Sequence, residues 1–449
     1  MLKDASSAST FDYDAPIEGL QASDRYTIRL KLNFPDYELL PNLTTTSLAA
    51  VAREVVEAYG DASGWVMANP VGTGPYRLKD WRRGQRIVLE ASPTFRDERY
   101  PEPADANDRA FAKTLAGRKL PLVGRIEISI IEESNPRLLA FAQKQLDFLA
   151  VPNDIVPKVI TPDGKLKPEL AQQGVTLQRD VQPAISYLYF NMEDPVVGGY
   201  TPDKIALRRA IGMGYDAEDE IRVIRQGQGM PMTQIVPPGM SGHDPAYKMP
   251  VKYDPAAARA LLDKFGYKDR DGDGFRELPD GRPLTFKIAS TPAVIDRQSD
   301  ELWQRNMNAI GIRVEFVKQK WPELLKMGRL GQLQAWRLGN INFTPEGFVF
   351  HGLLYSRHAG FSNLAQFKLA EYDQLYEKAR AMPDSPERTK LLRKMSEIVA
   401  AYAPWVLLAF RIENVVVQPW LIGYKYNPTY QYPFQYLDVD DSRRVLAAK

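Results

Sequence analysis

Ser385–Phe410 reads SPERTKLLRKMSEIVAAYAPWVLLAF, and its two halves follow different rules. Ser385-Pro386 opens a helix in which Leu391, Leu392, Met395, Ile398 and Val399 fall on one stripe, the pattern of a helix packed on a core. After Ala403-Pro404, the run Trp405–Phe410 is apolar on both faces, as expected for a strand in a sheet covered on both sides. A helix followed by a doubly covered strand points to an α/β fold.

The neighbouring segments repeat the alternation. Asp254-Pro255 supplies an N-cap and a proline at the first helical position, Leu261, Leu262 and Phe265 make an apolar face, and Gly266 is placed to cap the end. Leu302, Trp303, Met307 and Ile310 predict a second helix, closed by Gly311. In the strand that follows, Ile312, Val314 and Phe316 face one way and Arg313 and Glu315 the other. Towards the N-terminus, Tyr26–Leu32 alternates as a half-buried strand through Ile28, Leu30 and Leu32, and further strands are expected at 86–90, 126–131 and 187–190.

At 449 residues the chain is too long for one ordinary core, so two or three domains are expected. Net charge is +2, with no wide basic stripe, which leaves no basis for a nucleic-acid or membrane-surface partner. Arg82, Arg83 and Arg86 beside Trp81 are read as solvated charge at a turn. The chain has no cysteine, so disulfides, thiolate metal sites and cysteine nucleophiles are excluded. No stretch approaches the roughly 20 apolar residues of a membrane span.

Enzyme chemistry finds no support. The three histidines, His243, His351 and His358, form no recognised ligand or triad spacing. The acidic pairs Asp216/Glu218 and Asp219/Glu220 read as a solvated helix face. One segment has metal-like spacing. Asp269, Asp271 and Asp273 alternate ahead of Gly274, and Asp280 stands at the twelfth position of a calcium-type loop, with Asp in place of the usual Glu and Pro279 before it. The competing account is a polar turn built on Asp-Gly pairs. No other cofactor is expected.

Asn69–Tyr76 (NPVGTGPY), followed by RLKDWRRGQRIVLEASPTFRD, resembles the signature of the peptide/nickel family of solute-binding proteins of ABC importers. Further matches follow in order: LAFAQKQLDF at 139–148, with Lys144 where a glycine is common; YLYFN at 187–191; LRRAIGMGYD at 207–216; PPGM at 237–240; YDPAAARALLDKFGY at 253–267; and APWVLLAFRIENVVVQPWLIGY at 403–424. The resemblance implies a bilobal periplasmic-binding-protein fold of type II, whose lobes are joined by crossovers and close on a solute. Lobe I is expected at 26–185 with 415–449, and lobe II at 186–414. A peptide or another small polar solute would be delivered to the transmembrane permease in a transient encounter, by a monomer, with no nucleic acid involved and no catalysis.

Members of this family commonly hold a peptide's amino group with an aspartate in a stretch like G-W-x-A-D-Y. Aligned through Gly339, this chain has Asn340 at the tryptophan and Phe343 at the aspartate position, with Asn342 and Glu346 nearby as substitutes. Arg337 matches a position that holds a ligand carboxylate in some members, and Trp321, Trp336 and Phe343 are candidates for an aromatic wall. Against the family pattern, Met1–Ala15 shows no signal peptide. The resemblance then implies that residues 1–25 are a remnant of the family's small extra domain, with the export signal and some lobe I strands absent, and with the full-length form periplasmic. Two further functions stay open: a non-transport or chaperone-like binder, and, with least support, a hydrolase.

Overall fold

The computed structural model describes residues 16–60, 66, 69–430 and 432–448. The chain forms two compact units, Met1–Glu132 with Pro433–Val439, and Glu133–Tyr432 with Asp440–Lys449. Residues 1–15, most of the expected extra-domain remnant, lie outside the described residues.

In the first unit, β1 (Leu20–Asp24) and β2 (Thr27–Leu30) form an antiparallel hairpin. Here the expected half-buried face is not found. Ile28 is 71% exposed, and Leu30 and Leu32 are exposed with it, because among the described residues the only ladder of β2 is to β1. A three-stranded antiparallel sheet follows: β3 (Tyr76–Arg82), β4 (Arg86–Ala91) and β5 (Arg125–Ser129). The turn from β3 to β4 places Gly84 at φ +69°, and Arg82 and Arg86 both pair with Asp80. That accounts for the basic cluster without a partner molecule.

The second unit is built on a mixed sheet. Its strands are β6 (Phe148–Ala150), β7 (Thr176–Phe190), β8 (Gly229–Pro231), β9 (Thr285–Ser290), β10 (Arg313–Lys318), β11 (Ala335–Ile341) and β12 (Trp405–Val417), in the order β10-β9-β11-β7-β12-β6, with β8 paired to β12. The pairs β10–β9 and β11–β9 are parallel; β7 runs antiparallel to β11 and β12. Both faces are covered. Tyr187, Tyr189, Trp336 and Trp405 enter one core, and Leu188, Phe190, Leu408 and Phe286 the other, as the apolar run at Trp405–Phe410 requires.

The helices start where the sequence places them. Asp254 accepts a hydrogen bond from the N–H of Ala257 at 2.8 Å, and Ser385 from that of Arg388 at 3.2 Å. The helix Val294–Asn308 buries Trp303, which stacks on Tyr215 with ring centroids 3.7 Å apart.

Two strands run longer than their apolar stretches indicate. The strand read at 187–190 is the end of the fifteen-residue β7, and that read at 405–410 is the start of the thirteen-residue β12. Their remaining stretches carry polar residues, Arg179, Asp180 and Gln182 in β7 and Arg411, Glu413 and Asn414 in β12, and β7 carries Pro183, whose missing N–H coincides with the register shift between Phe410 and Ile412. The lobe boundaries expected at 185/186 and 414/415 therefore fall inside two strands whose ladder runs on from Trp405↔Tyr189 to Val417↔Thr176. The two compact units divide after Glu132. A small third core at the far end of that ladder, with Phe141, Leu149, Val156 and Val416, belongs to the second unit.

Lys144, noted above where relatives carry glycine, has φ +64°. An L side chain in the left-handed region is strained by roughly 1 kcal/mol, so Lys144→Gly should raise unfolding free energy by up to about that amount. The two exposure extremes give a second prediction. Trp303→Ala, at a site 1% exposed, should cost about 3–5 kcal/mol. Trp321→Ala, at a site 54% exposed, should cost less than about 1 kcal/mol. Urea denaturation of the three variants checks both statements.

Candidate ligand-binding site

Between the large cores and the small third core, β7 and β12 carry Gln182, Arg411, Glu413 and Asn414. Beside them lies a cavity of about 300 Å³, lined by Gln182 of β7, Arg411–Asn414 of β12, Arg225 and Gln228 from the segment before β8, and Arg137 and 150–153 from the region of the third core. All of these belong to the second unit.

Its walls are fixed by hydrogen bonds. Arg179 donates to Asn414 Oδ1 at 2.7 Å and to Gln228 Oε1, which also accepts from Asn414 Nδ2 at 2.8 Å. Gln182 donates to the carboxylate of Glu413. Arg411 stands apart. Its Nε is buried and has no hydrogen-bond partner. Burial first, and then the charge of Arg225, hold its pKa below the usual arginine value. Its guanidinium lies over Gly339 of β11, the guanidinium carbon 4.0 Å from where a Cβ on that glycine would lie.

Behind the cavity a π-helical turn, Glu220–Ile224, buries a charge network. Glu220 accepts from Tyr215 Oη at 2.7 Å and from Arg225 Nη2 at 2.8 Å, and Arg337 approaches it at 3.8 Å. Burial by itself would raise the pKa of Glu220; the charges of Arg337 and Arg225 outweigh it and hold the carboxyl ionised. The expectation of a solvated acidic face is thus overturned for Glu220, which is fully buried. Asp219 takes Arg222 and Arg305 instead. Adjacent helical residues point in different directions, which composition cannot reveal.

The residues singled out near β11 are not brought together. Arg337 is committed to Asp296 at 2.8 Å and to Glu220. Asn340 lies on the opposite face of β11 and accepts from Tyr187 Oη at 2.9 Å, as strand alternation demands. Asn342 caps its own loop, donating to Thr344 Oγ1 and to the Glu346 carbonyl, both at 2.8 Å. Glu346 accepts from the N–H of Phe348 at 2.9 Å and pairs with buried Arg388 at 2.6 Å, so it is spent on structure. Phe343 and Trp321 are exposed; Trp336 is buried in a core. Arg411, Glu413, Gln182 and Gln228, which line the cavity, are not among the residues singled out from the sequence. A signal existed: Arg411 and Glu413 interrupt an otherwise apolar strand.

The model of the bacterial extracellular solute-binding proteins, family 5, matches residues 1–361. The chain belongs to that family. Among curated relatives, heme-binding protein A of Haemophilus influenzae is 26% identical over 424 residues, covering 92% of this chain and 68% of that protein. The dipeptide-binding protein of Escherichia coli is 21% identical over 428 residues, covering 94% and 72%. Among solved structures, the periplasmic binding protein DppA from Helicobacter pylori, in complex with a peptide, has a TM-score of 0.71 at 22% identity, covering 94% of this chain and 74% of that one. NikA from Brucella suis, in complex with Fe(III)-EDTA, has 0.72 at 19%, covering 94% and 78%. These structures show the type II periplasmic-binding-protein fold for this solute-binding protein.

Elsewhere in the family 5 chain, the carboxylates of Asp269, Asp271 and Asp273 lie within 4.8 Å of one another. Asp280, the expected twelfth-position ligand, is not with them; it pairs with Arg282 at 2.7 Å. Asp269 accepts from the N–H groups of Gly272 and Gly274, and Asp273 from that of Phe275, so the loop's own amides occupy carboxylate oxygens.

His351 is fully buried, 3.3 Å from Tyr372 Oη. Burial first, and then the charge of Arg388, push its pKa down from 6.5 to about 3. Above pH 6.5 the imidazole is neutral in both folded and unfolded chains. As pH falls from there to about 3, the unfolded chain takes up a proton that the folded chain refuses, so stability is lost across that window. Melting temperatures from pH 7.5 down to pH 4 should fall less steeply for His351→Leu than for the native protein. Equal slopes would exclude His351 as the cause.

Proposed function

We propose that this protein is the solute-capturing component of an ABC importer, working outside the cytoplasmic membrane as a monomer and handing a peptide or related small polar solute to a transmembrane permease. The observation that carries this proposal is the polar cavity on the β7–β12 ladder of a family 5 chain, with an unpartnered arginine in its wall. The names of the relatives agree on small solutes: they include dipeptide-binding, oligopeptide-binding and heme-binding proteins. Structural neighbours were solved with a peptide and with the dipeptide Met-Leu. No helix among the described residues is long and apolar enough to cross a membrane.

Capture without turnover fits the wall chemistry. The residues lining the cavity include no hydroxyl, imidazole or amine side chain, so a nucleophile with its base is not assembled there. The register shifts at Leu407/Ala409 and Phe410/Ile412 interrupt the ladder beside the cavity, and a bend at those points would open it to solute.

Thermal unfolding with a mixed library of short peptides and polar metabolites tests the proposal. A true ligand at 100 times its Kd should stabilise the protein by about 2.7 kcal/mol, read as a rise in Tm. Hydrolysis of library peptides would overturn the proposal in favour of an enzyme. Association with unfolded chains regardless of added solute would favour a chaperone-like binder.

A further inference from the structure

A second cavity, of about 950 Å³, lies in the second unit at the other end of β12. It is lined by residues 405–408 of that strand, not 411–414, and shares no lining residue with the cavity described above. The sheet edge makes the space. β8 pairs with β12 only over Ala409–Arg411, and among the described residues no strand continues that ladder opposite Trp405–Leu407. The helix Pro202–Gly214, the turn 215–219 and the segment 248–253 stand around the gap.

Two features of the wall describe an occupant. Most of it is apolar, with Met232, Met249, Val251, Val399, Trp405 and Leu407 contributing, and the methionines can adapt to a ligand of varied shape. Val251 and Tyr253 are left 40% and 48% exposed. The second feature is unbalanced charge, because five cationic side chains and three carboxylates line the cavity. Arg208 is spent on the carbonyls of Val197, Gly199 and Tyr402. Arg222 is spent on Asp219, which also takes Arg305. Asp216 accepts from the N–H of Asp219 at 2.9 Å, and Glu218 is exposed. Arg209, Lys248 and Lys252 have no carboxylate partner among the described residues. Arg209 donates from Nη2 to the Ala400 carbonyl at 3.1 Å, while its Nε is buried and has no partner. A buried donor left in that state calls for an explanation.

We infer that this cavity binds a free amphiphile with one carboxylate and an unbranched apolar body, a medium-chain fatty acid in its simplest form. The head meets Arg209, and the chain lies on the methionines and Trp405. This site is separate from solute capture and does not depend on it. A guanidinium matches a carboxylate through two parallel hydrogen bonds, and here Nε–H is the donor still open. A cation would be repelled by Arg209 and both lysines. A sugar would bury hydroxyl groups against apolar walls that cannot pair with them. Lys248 and Lys252 are exposed, so their stems can cover an alkyl chain while the ammonium groups stay in water. The volume is near the upper end of ligand pockets, which suits an extended body.

The test is isothermal titration and native mass spectrometry of the full chain with dodecanoate below its micelle concentration, beside methyl dodecanoate, dodecyltrimethylammonium and butyrate. The expected result is one saturable dodecanoate site, with each of the other three at least about 10-fold weaker. Arg209→Gln should weaken dodecanoate about 10- to 100-fold and leave methyl dodecanoate unchanged. Val251→Glu, at an exposed position, should keep the Tm of the free protein and lose the dodecanoate site through charge repulsion. Binding that does not saturate, that is equal for all head groups, or that persists unweakened in both variants would overturn the proposal. Loss of dodecanoate in Arg411→Gln but not in Arg209→Gln would place it in the other cavity and overturn the proposal too. Co-sedimentation with phosphatidylglycerol vesicles and no dodecanoate site would assign the surface to a membrane instead.

Discussion

Backbone N–H and C=O groups removed from water must find partners, and in the second unit that requirement is met chiefly along one ladder. β7 and β12 pair from Trp405↔Tyr189 to Val417↔Thr176, farther than any other two strands described. One end of this ladder is buried between two apolar cores and the other is fastened to a small core around Phe141 and Val416. Between these ends the ladder carries Gln182, Arg411 and Glu413, and the cavity lies beside them.

Two treatments of buried charge stand side by side on this scaffold. Glu220, Arg225, Arg337 and Asp296 answer one another, which makes the network rigid and holds Arg225 in the cavity wall. Replacing one member would leave a buried charge without a partner, an expensive outcome. Arg411 receives no such compensation. Its cost is carried by the rest of the fold.

Family membership and fold leave the solute open. Relatives of similar length and similarity are named for heme and for dipeptides, and structures with the same fold hold peptides or a metal chelate. A shared scaffold says what kind of task is done; the groups facing the cavity say to which molecule. For that reason the commitment of Arg337 and Glu346 to internal partners matters.

The sequence by itself determined the elements whose signal is local. The cap at Asp254-Pro255, the stripe of the Ser385-Pro386 helix and the doubly apolar strand at Trp405 each depend on neighbours a few residues away, and each formed as read. The order of motifs from Asn69 to Tyr424 likewise identified the family and its fold class. Tertiary structure alone decided the rest. Ile28, Leu30 and Leu32 alternate as a buried face does, yet burial needs a covering layer that periodicity cannot supply. The polar half of β7, interrupted by Pro183, reads as loop because its partner strand lies more than 200 residues away. Buried charge followed the same logic. Arg337 and Arg411 are identical in chemistry, and what separates them is Glu220 and Asp296, distant in sequence and near in space, which pair with one guanidinium and not with the other.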